Sequence, residues 1–561
     1  MKRADVVPWP AETAAAYRDT GCWRGRGMGS RLWEWADRWG ERTAVVDGEH
    51  RLTYRELAER ADGLADGLTR CGLEPGDVVL VQLPNCWEFV VVTLACLRAG
   101  VVPVMMLPTH RERELGSIGA HVQARALVVP DSWRGYDHQA LAERLAATLP
   151  GRPRVLTVGD HVRAGNVDLR ALMRPPADPS VTRARLDTRE PQGSDPAVLL
   201  LSGGTTGLPK VVCRTHDDYD YNIRCVVRAC GFGPDTVYLA VLPAGHNFAL
   251  ANPGILGTLY AGGTAVVLPS PRPEAVFAVV AAERVTATSA VPSVVLSWME
   301  HVATHDVDVT SLRHVHVGGS VLAPEVAARI GPTLGCRLQQ VYGMAEGLIC
   351  YTPVDADEPL AHATQGLPVS PYDELLVVDA EGRPVPAGGV GELLTRGPYT
   401  PRGYVGVPGT NAQVFTSEGW FRTGDLVRLT PEGAVVVCGR VKDLVNRGGE
   451  KVSSAEVELL VQELPQVAEA AAVPMPDPVL GERVCLFVRL HAGRSLDLDR
   501  VRAALTRRGL AAFKLPERLV VVAALPHTAV GKPDKKRLAH LVAHLVAHRD
   551  REDVTDAPRA A

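Results

Sequence analysis

Short β-branched runs recur along the chain, among them DVVLVQLP (77–84), ARALVVP (124–130) and TAVVLP (264–269). Between them lie Ala-, Leu-, Arg- and Glu-rich stretches such as YRELAERADGLADGLTRCG (54–72). Apolar strands alternating with helical segments predict an α/β fold with largely parallel sheets, because each strand needs a helix to return the chain to the same edge. Gly72 is expected to cap the 54–70 helix, and Pro75-Gly76 to turn the chain into the next strand. The most apolar run, Phe89 to Pro108, is broken by Arg98, Gly100 and Pro103 and reads as helix, turn and strand, not as a membrane span.

A chain of 561 residues is too long for one core and should divide into domains. The strand-like GAVVVCG (433–439) precedes a fresh α+β pattern, so the division is expected after residue 438, with 439–545 a small C-terminal domain and 546–561 a frayed, solvated tail. Residues 171–196 are rich in Pro, Asp, Arg and Ser, lack periodicity and read as a surface connection. A formal net charge of −4 provides no basic field for nucleic acid. Eleven cysteines without CxxC pairs or Cys/His metal spacing indicate reduced thiols. The N-terminus lacks the apolar segment of a secretory signal, so a cytoplasmic enzyme is expected.

The segment LLLSGGTTGLPKVV (199–212) presents Ser, Thr and unhindered Gly amides at a strand end, which suits phosphate oxygens. It is not the P-loop of nucleotide hydrolases, because Leu208-Pro209 separates Gly207 from Lys210. There is no GxSxG elbow for a serine nucleophile.

Together with VYGMAEG (341–347), FRTGDLVRL (421–429), GRVKDLVNRGGEKV (439–452) and VGKPDKKRL (530–538), this segment resembles the adenylate-forming superfamily of acyl-CoA synthetases, luciferases and peptide-synthetase adenylation domains. The five motifs occur in the family's order. RTHDDYDYN (214–222), AGHNFALANPGILG (244–257) and LTRGPYTPRGYV (394–405) extend the likeness across the chain to the stand-alone aryl-acid AMP ligases, which include 2,3-dihydroxybenzoate-AMP ligases. The implied architecture is a large N-terminal domain of layered parallel sheets and helices with a β-rich subdomain, followed by a small mobile α+β domain.

That resemblance implies two half-reactions. A carboxylate attacks the α-phosphorus of ATP and pyrophosphate leaves; a phosphopantetheine thiol then attacks the acyl adenylate. Ser202, Gly203, Gly204, Thr205 and Thr206 match the phosphate cradle, with Lys210 an auxiliary cation. Glu346, with Thr206, matches the Mg²⁺ site, a hard oxygen ligand for a hard cation. Asp425 and Arg440 match ribose or phosphate contacts; Gly318, Gly319, Val341, Tyr342 and Gly343 match the adenine surroundings. Lys532 matches the lysine that bridges carboxylate and α-phosphate, and Lys442 the domain hinge. Gly448, Gly449 and Lys451 match the pantetheine channel, while Lys535, Lys536 and Arg537 read as a solvated basic face.

His246, Asn247, Phe248, Asn252, Gly319 and Ile349 match the acid pocket, in which Asn247 would meet an ortho polar group, Phe248 the ring face and Ile349 the far end. His246 is expected to shape the wall, since a carboxylate nucleophile is already ionised and needs no base. Asn252 departs from the Ser of dihydroxybenzoate users and the Cys of salicylate users. An unpaired amide in a dry pocket costs roughly 1–3 kcal/mol, which implies an acid with a second polar group: 3-hydroxyanthranilate, 3-hydroxypicolinate or 2,3-dihydroxybenzoate. The expected acceptor is a separate aryl or peptidyl carrier protein in siderophore or peptide antibiotic assembly. The alternative is an aryl- or acyl-CoA ligase using free coenzyme A. Neither nucleic acid nor a membrane is an expected partner.

Overall fold

The structure is a computed structural model that describes residues 6–202, 209–447, 450–477, 480–508, 510, 512–528 and 531–542. Two large sheets dominate. One has seven strands, in the order Lys210–Thr215, Pro196–Ser202, Val102–Met105, Val78–Val81, Ala126–Pro130, Arg154–Val158 and Val167–Asp168. It is parallel except at the edge, where Pro196–Ser202 and Lys210–Thr215 form an antiparallel hairpin. The other has nine strands. Its parallel centre runs Arg337–Gly343, His314–Gly318, Ala287–Ala290, Val237–Ala240, Thr264–Val267 and Thr43–Asp47.

The helix Trp87–Ala99 is apolar all round and almost wholly buried, as a helix covered on every side must be. Its side chains share one core with strand residues of both large sheets, among them Val79, Val81, Tyr238 and Ala265. Gly100 ends it in the left-handed conformation, with φ +70°, before the strand Val102–Met105, giving the helix, turn and strand expected of 89–108. The helix Tyr54–Arg70 begins at a capping box in which Thr53 and Glu56 satisfy each other's backbone N–H groups, and Gly72 follows its end at φ +80°.

A four-stranded antiparallel sheet, Glu374–Val378, Gly391–Arg396, Phe421–Leu429 and Val435–Arg440, follows the nine-stranded one. The short helical turn Val441–Asp443 leads from it into a five-stranded sheet spanning Leu444 to Val521 with its own buried cluster around Val445, Val457, Leu486 and Leu505.

Two expectations are corrected. Within 171–196, Pro179–Asp187 forms a helix, with Pro179 in its first turn and Asp178 accepting from the Val181 N–H; these residues are helix starters as well as turn formers. Lys535 is not part of a solvated face. Its ammonium lies 2.9 Å from Glu458 and 3.7 Å from Asp443, because the partly buried Glu458 carboxylate favours a counter-charge. The expected tail, 546–561, lies outside the described residues. All eleven cysteines are free, and among the described residues no helix is long and apolar enough to cross a membrane.

Candidate active site

The segment rich in Ser, Thr and Gly joins the two strands of the edge hairpin, whose last described pair is Ser202 with Lys210. Gly203, Gly204, Thr205 and Thr206 lie outside the described residues. Tyr404 stands beside this hairpin. Its hydroxyl shares a hydrogen bond with Ser202 and donates to Glu346 Oε1 at 2.8 Å, and Lys210 Nζ sits 4.6 Å from its ring centroid. Tyr404 lies in the stretch 394–405, whose sequence does not mark it as a site residue.

Glu346 follows the strand Arg337–Gly343, which also carries Val341, Tyr342 and Gly343. Its carboxylate is buried, at 7 % exposure, and among the described residues it has no ion-pair partner. A buried carboxylate without a counter-cation is a chemically fitting place for Mg²⁺. The next residue, Gly347, has φ +128°, and a Cβ there would lie 2.8 Å from Thr400 Cα. Only glycine lets the turn bring Glu346 this close to the segment bearing Tyr404.

Asp425 is the polar centre of the opposite wall. It pairs across the sheet with Arg440, whose Nε donates to Oδ1 at 2.7 Å, while the Tyr342 hydroxyl donates to Oδ2 at 2.7 Å. Both carboxylate oxygens are therefore fixed in direction. Gly318 packs against Val341, and Gly319 takes φ +89° at the strand end.

Lys532 arrives from the small C-terminal part. Its Cε is 3.7 Å from where a Gly319 Cβ would stand, and the Gly531 carbonyl accepts from Ser293 Oγ at 3.4 Å. Burial, reinforced by Arg440, pushes the Lys532 ammonium down to about 8, against the pull of Asp425. Burial and the Lys532 charge push His246 down to about 4, so its ring is neutral at physiological pH. These shifts place Lys532 within electrostatic reach of Arg440, Asp425 and His246 together. Backbone is described for Lys442, in the turn Val441–Asp443, and for Lys451, in the strand Glu450–Ser453; Gly448 and Gly449 lie outside the described residues.

His246 caps the short helix Asn247–Ala251, and its Nδ1 accepts from the Phe248 N–H at 3.3 Å. Phe248 packs in the same buried cluster as Val317, Val341 and Ile349. Ile349 Cδ1 would be only 2.6 Å from a Gly343 Cβ, so the pocket end and the strand leading to Glu346 touch.

Asn252 overturns one expectation. Its side chain, 2 % exposed, is not waiting for a partner: Oδ1 accepts from Asn222 Nδ2 at 2.9 Å, and Nδ2 donates to the Asn247 carbonyl at 3.3 Å. The helix His216–Ala229 supplies this pairing, and it also supplies Tyr219, whose hydroxyl donates to Asn247 Oδ1 at 2.8 Å. Both partners lie in the motif RTHDDYDYN, where the sequence carries no mark of which residues face the pocket.

The family model described as AMP-binding enzyme matches residues 32–405, and the AMP-binding enzyme C-terminal domain matches 456–532.

The chain belongs to the AMP-binding enzyme family.

Within that family it groups with the aryl-acid ligases. It is 56% identical to a salicylyl-CoA synthase / salicylate adenylyltransferase of a Streptomyces species, covering 97% of this chain and 98% of the relative. A 2,3-dihydroxybenzoate-AMP ligase of Bacillus subtilis is 44% identical over 96% of this chain and 97% of its own length. A salicyl-AMP ligase / salicyl-S-ArCP synthetase of Mycobacterium tuberculosis is 44% identical over 95% and 94%. The apo structure of Mycobacterium smegmatis MbtA matches with a TM-score of 0.72 at 42% identity, covering 96% of this chain and 99% of that one. This AMP-binding enzyme is accordingly an adenylate-forming ligase.

Proposed function

We propose that this enzyme joins an ortho-hydroxylated aromatic carboxylic acid to AMP, using ATP, and then passes the acyl group to a phosphopantetheine thiol. The observation that carries the reading is the approach of Lys532 to Gly319, with its charge within electrostatic reach of Asp425, Arg440 and His246, which brings a cation from the small domain to the boundary between nucleotide and acid sites.

In the first step a carboxylate oxygen bonds to the α-phosphorus as the bond to the pyrophosphate oxygen breaks. Negative charge moves between carboxylate and phosphate, and the protonated Lys532 neutralises it at the point of transfer. Asp425 holds the ribose hydroxyls, its carboxylate aimed by Tyr342 and Arg440. Val341, Tyr342, Gly318 and Gly319 flank the adenine. Ser202, with Gly203, Gly204, Thr205 and Thr206, cradles the phosphates, and Lys210 adds a positive charge. Glu346 and Thr206 would hold Mg²⁺, which supplies charge neutralisation on the phosphates. His246 and Phe248 wall the aryl group, Ile349 closes its far end, and Asn247 donates to the ortho oxygen.

In the second step the thiol sulfur bonds to the acyl carbon, AMP leaves and the thiol proton is released. We assign the hinge to Lys442 and the pantetheine path to Gly448, Gly449 and Lys451, so that Lys532 withdraws between the steps. The division after residue 438 belongs to this assignment.

Because the Asn252 oxygen and nitrogen each have a partner, a second ring substituent is not demanded, and salicylate joins 2,3-dihydroxybenzoate, 3-hydroxypicolinate and 3-hydroxyanthranilate as a candidate acid. Salicylate takes first place, since two of the relatives are named for it. The proposed acceptor is a separate carrier protein, in siderophore or peptide antibiotic assembly. Free coenzyme A is the second reading, favoured by the name of the relative at 56% identity. ATP-pyrophosphate exchange across these acids tests the first step. Thioester formation with coenzyme A against a phosphopantetheinylated carrier protein separates the acceptors.

A further inference from the structure

Behind the acid pocket lies a chain of hydrogen bonds with only one possible direction. Arg214 and Asn222 are wholly buried. A guanidinium has N–H donors and no acceptor, so every partner of Arg214 must accept. Its Nε donates to Asp218 Oδ1 at 2.6 Å, Nη1 to the Ala345 carbonyl at 3.4 Å and Nη2 to Asn222 Oδ1 at 3.3 Å. Asn222 must therefore turn its oxygen toward Arg214 and its Nδ2 toward Asn252, whose Oδ1 accepts at 2.9 Å. That in turn points Asn252 Nδ2 at the Asn247 carbonyl, an acceptor only.

The second pocket amide is oriented from the same helix. The Tyr219 hydroxyl donates to Asn247 Oδ1 at 2.8 Å, and the Arg214 guanidinium stands 5.0 Å from the Tyr219 ring centroid, where a cation makes the phenol a better donor. Asn247 is left with its Nδ2 donors. Arg214 thus orients one amide through Asn222 and favours the donor role of Tyr219 toward the other, the two residues lying three apart on the helix His216–Ala229.

We propose that Arg214, acting through Asn222 and Tyr219, fixes the hydrogen-bond polarity of the acid pocket, so that the pocket offers N–H donors to the ortho substituent of the aryl acid. This rests on the reading of Asn247 and Asn252 as acid-pocket residues. The three residues behind them are positioning residues that set specificity. An ortho hydroxyl gives its proton to its own carboxylate and turns an oxygen lone pair outward, which an amide N–H can meet. An ortho amine gives one hydrogen to its carboxylate and turns the other outward, donor against donor in a dry site. The pocket therefore selects ortho-hydroxy over ortho-amino acids, and 3-hydroxyanthranilate falls below 2,3-dihydroxybenzoate. A preference on the order of 10–100-fold in kcat/KM follows from one unpaired buried donor.

The test is the ratio of kcat/KM for salicylate to that for anthranilate, read by pyrophosphate exchange in the wild type, Asn222→Asp and Tyr219→Phe. Asn222→Asp puts an acceptor-only carboxylate where Asn252 now receives a donor and turns the Asn252 amide round; the ratio should fall at least about tenfold. Tyr219→Phe frees Asn247 to rotate and should lower the ratio while the variant, though less stable, stays folded at the assay temperature. Should Asn222→Asp fail to fold, Tyr219→Phe decides. A wild type that uses anthranilate as well as salicylate, or folded variants with unchanged ratios, overturns the proposal while leaving aryl-acid activation intact. A wild type that exchanges with fatty acids and no aryl acid overturns the functional reading and this proposal together.

Discussion

The Tyr404 hydroxyl lies 2.8 Å from Glu346 Oε1, across 58 residues of sequence, while the ring of the same tyrosine lies beneath the Lys210 ammonium. One side chain thus joins the candidate metal carboxylate to the hairpin of the proposed phosphate loop. Removing the hydroxyl removes a hydrogen bond to a charged group, worth about 1.5–3 kcal/mol. Tyr404→Phe should therefore lower kcat/KM for ATP by roughly 10–100-fold and raise the Mg²⁺ concentration needed for half-maximal exchange, with KM for the aryl acid nearly unchanged. An equal loss toward both substrates would point to misfolding instead.

Lys532 enters the candidate site from the small domain, and the proposed function confines its part to the first step. Lys532→Ala should reduce adenylate formation by at least about 10²–10³-fold, the usual loss when one transition-state charge partner is removed. Thioester formation from chemically supplied acyl adenylate should be largely spared. Loss of both reactions in a folded variant would contradict the division of the site between two conformations.

The same lysine sets a pH dependence. Its pKa is lowered to about 8, so the cation is complete below that value and is lost as pH rises through it. The kcat/KM for adenylation, which reports the free enzyme, should fall above pH about 8 instead of holding to the ordinary lysine range near 10.5. Arg440 contributes to the lowering, so Arg440→Gln should move the fall to higher pH. A fall that stays at the same pH in Arg440→Gln would remove Lys532 as its source.

Asn252 is held from behind, and shortening it should have a cost unrelated to substrate. Asn252→Ser leaves the buried Nδ2 of Asn222 without its partner, which should destabilise the protein by about 1–3 kcal/mol in urea unfolding. Full stability in Asn252→Ser would mean that the amide chain from Arg214 is not closed in solution.

The alternation of apolar strands with helical stretches was enough to read the α/β class, since strands such as Val78–Val81, buried at every position, allow few other solutions. The motifs named Glu346, Asp425, Arg440 and Lys532 through resemblance, and the structure joins Arg440 to Asp425 and sets the charge of Lys532 against both. Tyr404, Arg214 and Asn222 were not legible. Arg214 has near partners in Asp218 and Asn222, but the contacts that tie these residues to the site lie far along the chain, as Arg214 and Ala345 do at 131 residues apart, and no local period encodes them. The helix Pro179–Asp187 was missed because Asp178 and Pro179 serve equally as turn residues and as helix starters. The pairing of Asn252 was missed for a related reason: sequence gives the donors and acceptors a side chain brings, not how many its neighbours already occupy.

The most direct measurement is ATP-pyrophosphate exchange by the purified wild-type enzyme with salicylate, 2,3-dihydroxybenzoate, benzoate and a medium-chain fatty acid compared at equal concentration. Exchange driven by the two ortho-hydroxy acids, with benzoate at least about tenfold weaker for want of the oxygen that Asn247 meets and the fatty acid inactive, is the expected result. Exchange that is strongest with the fatty acid, or equal for benzoate and salicylate, would contradict an acid pocket built around an ortho oxygen.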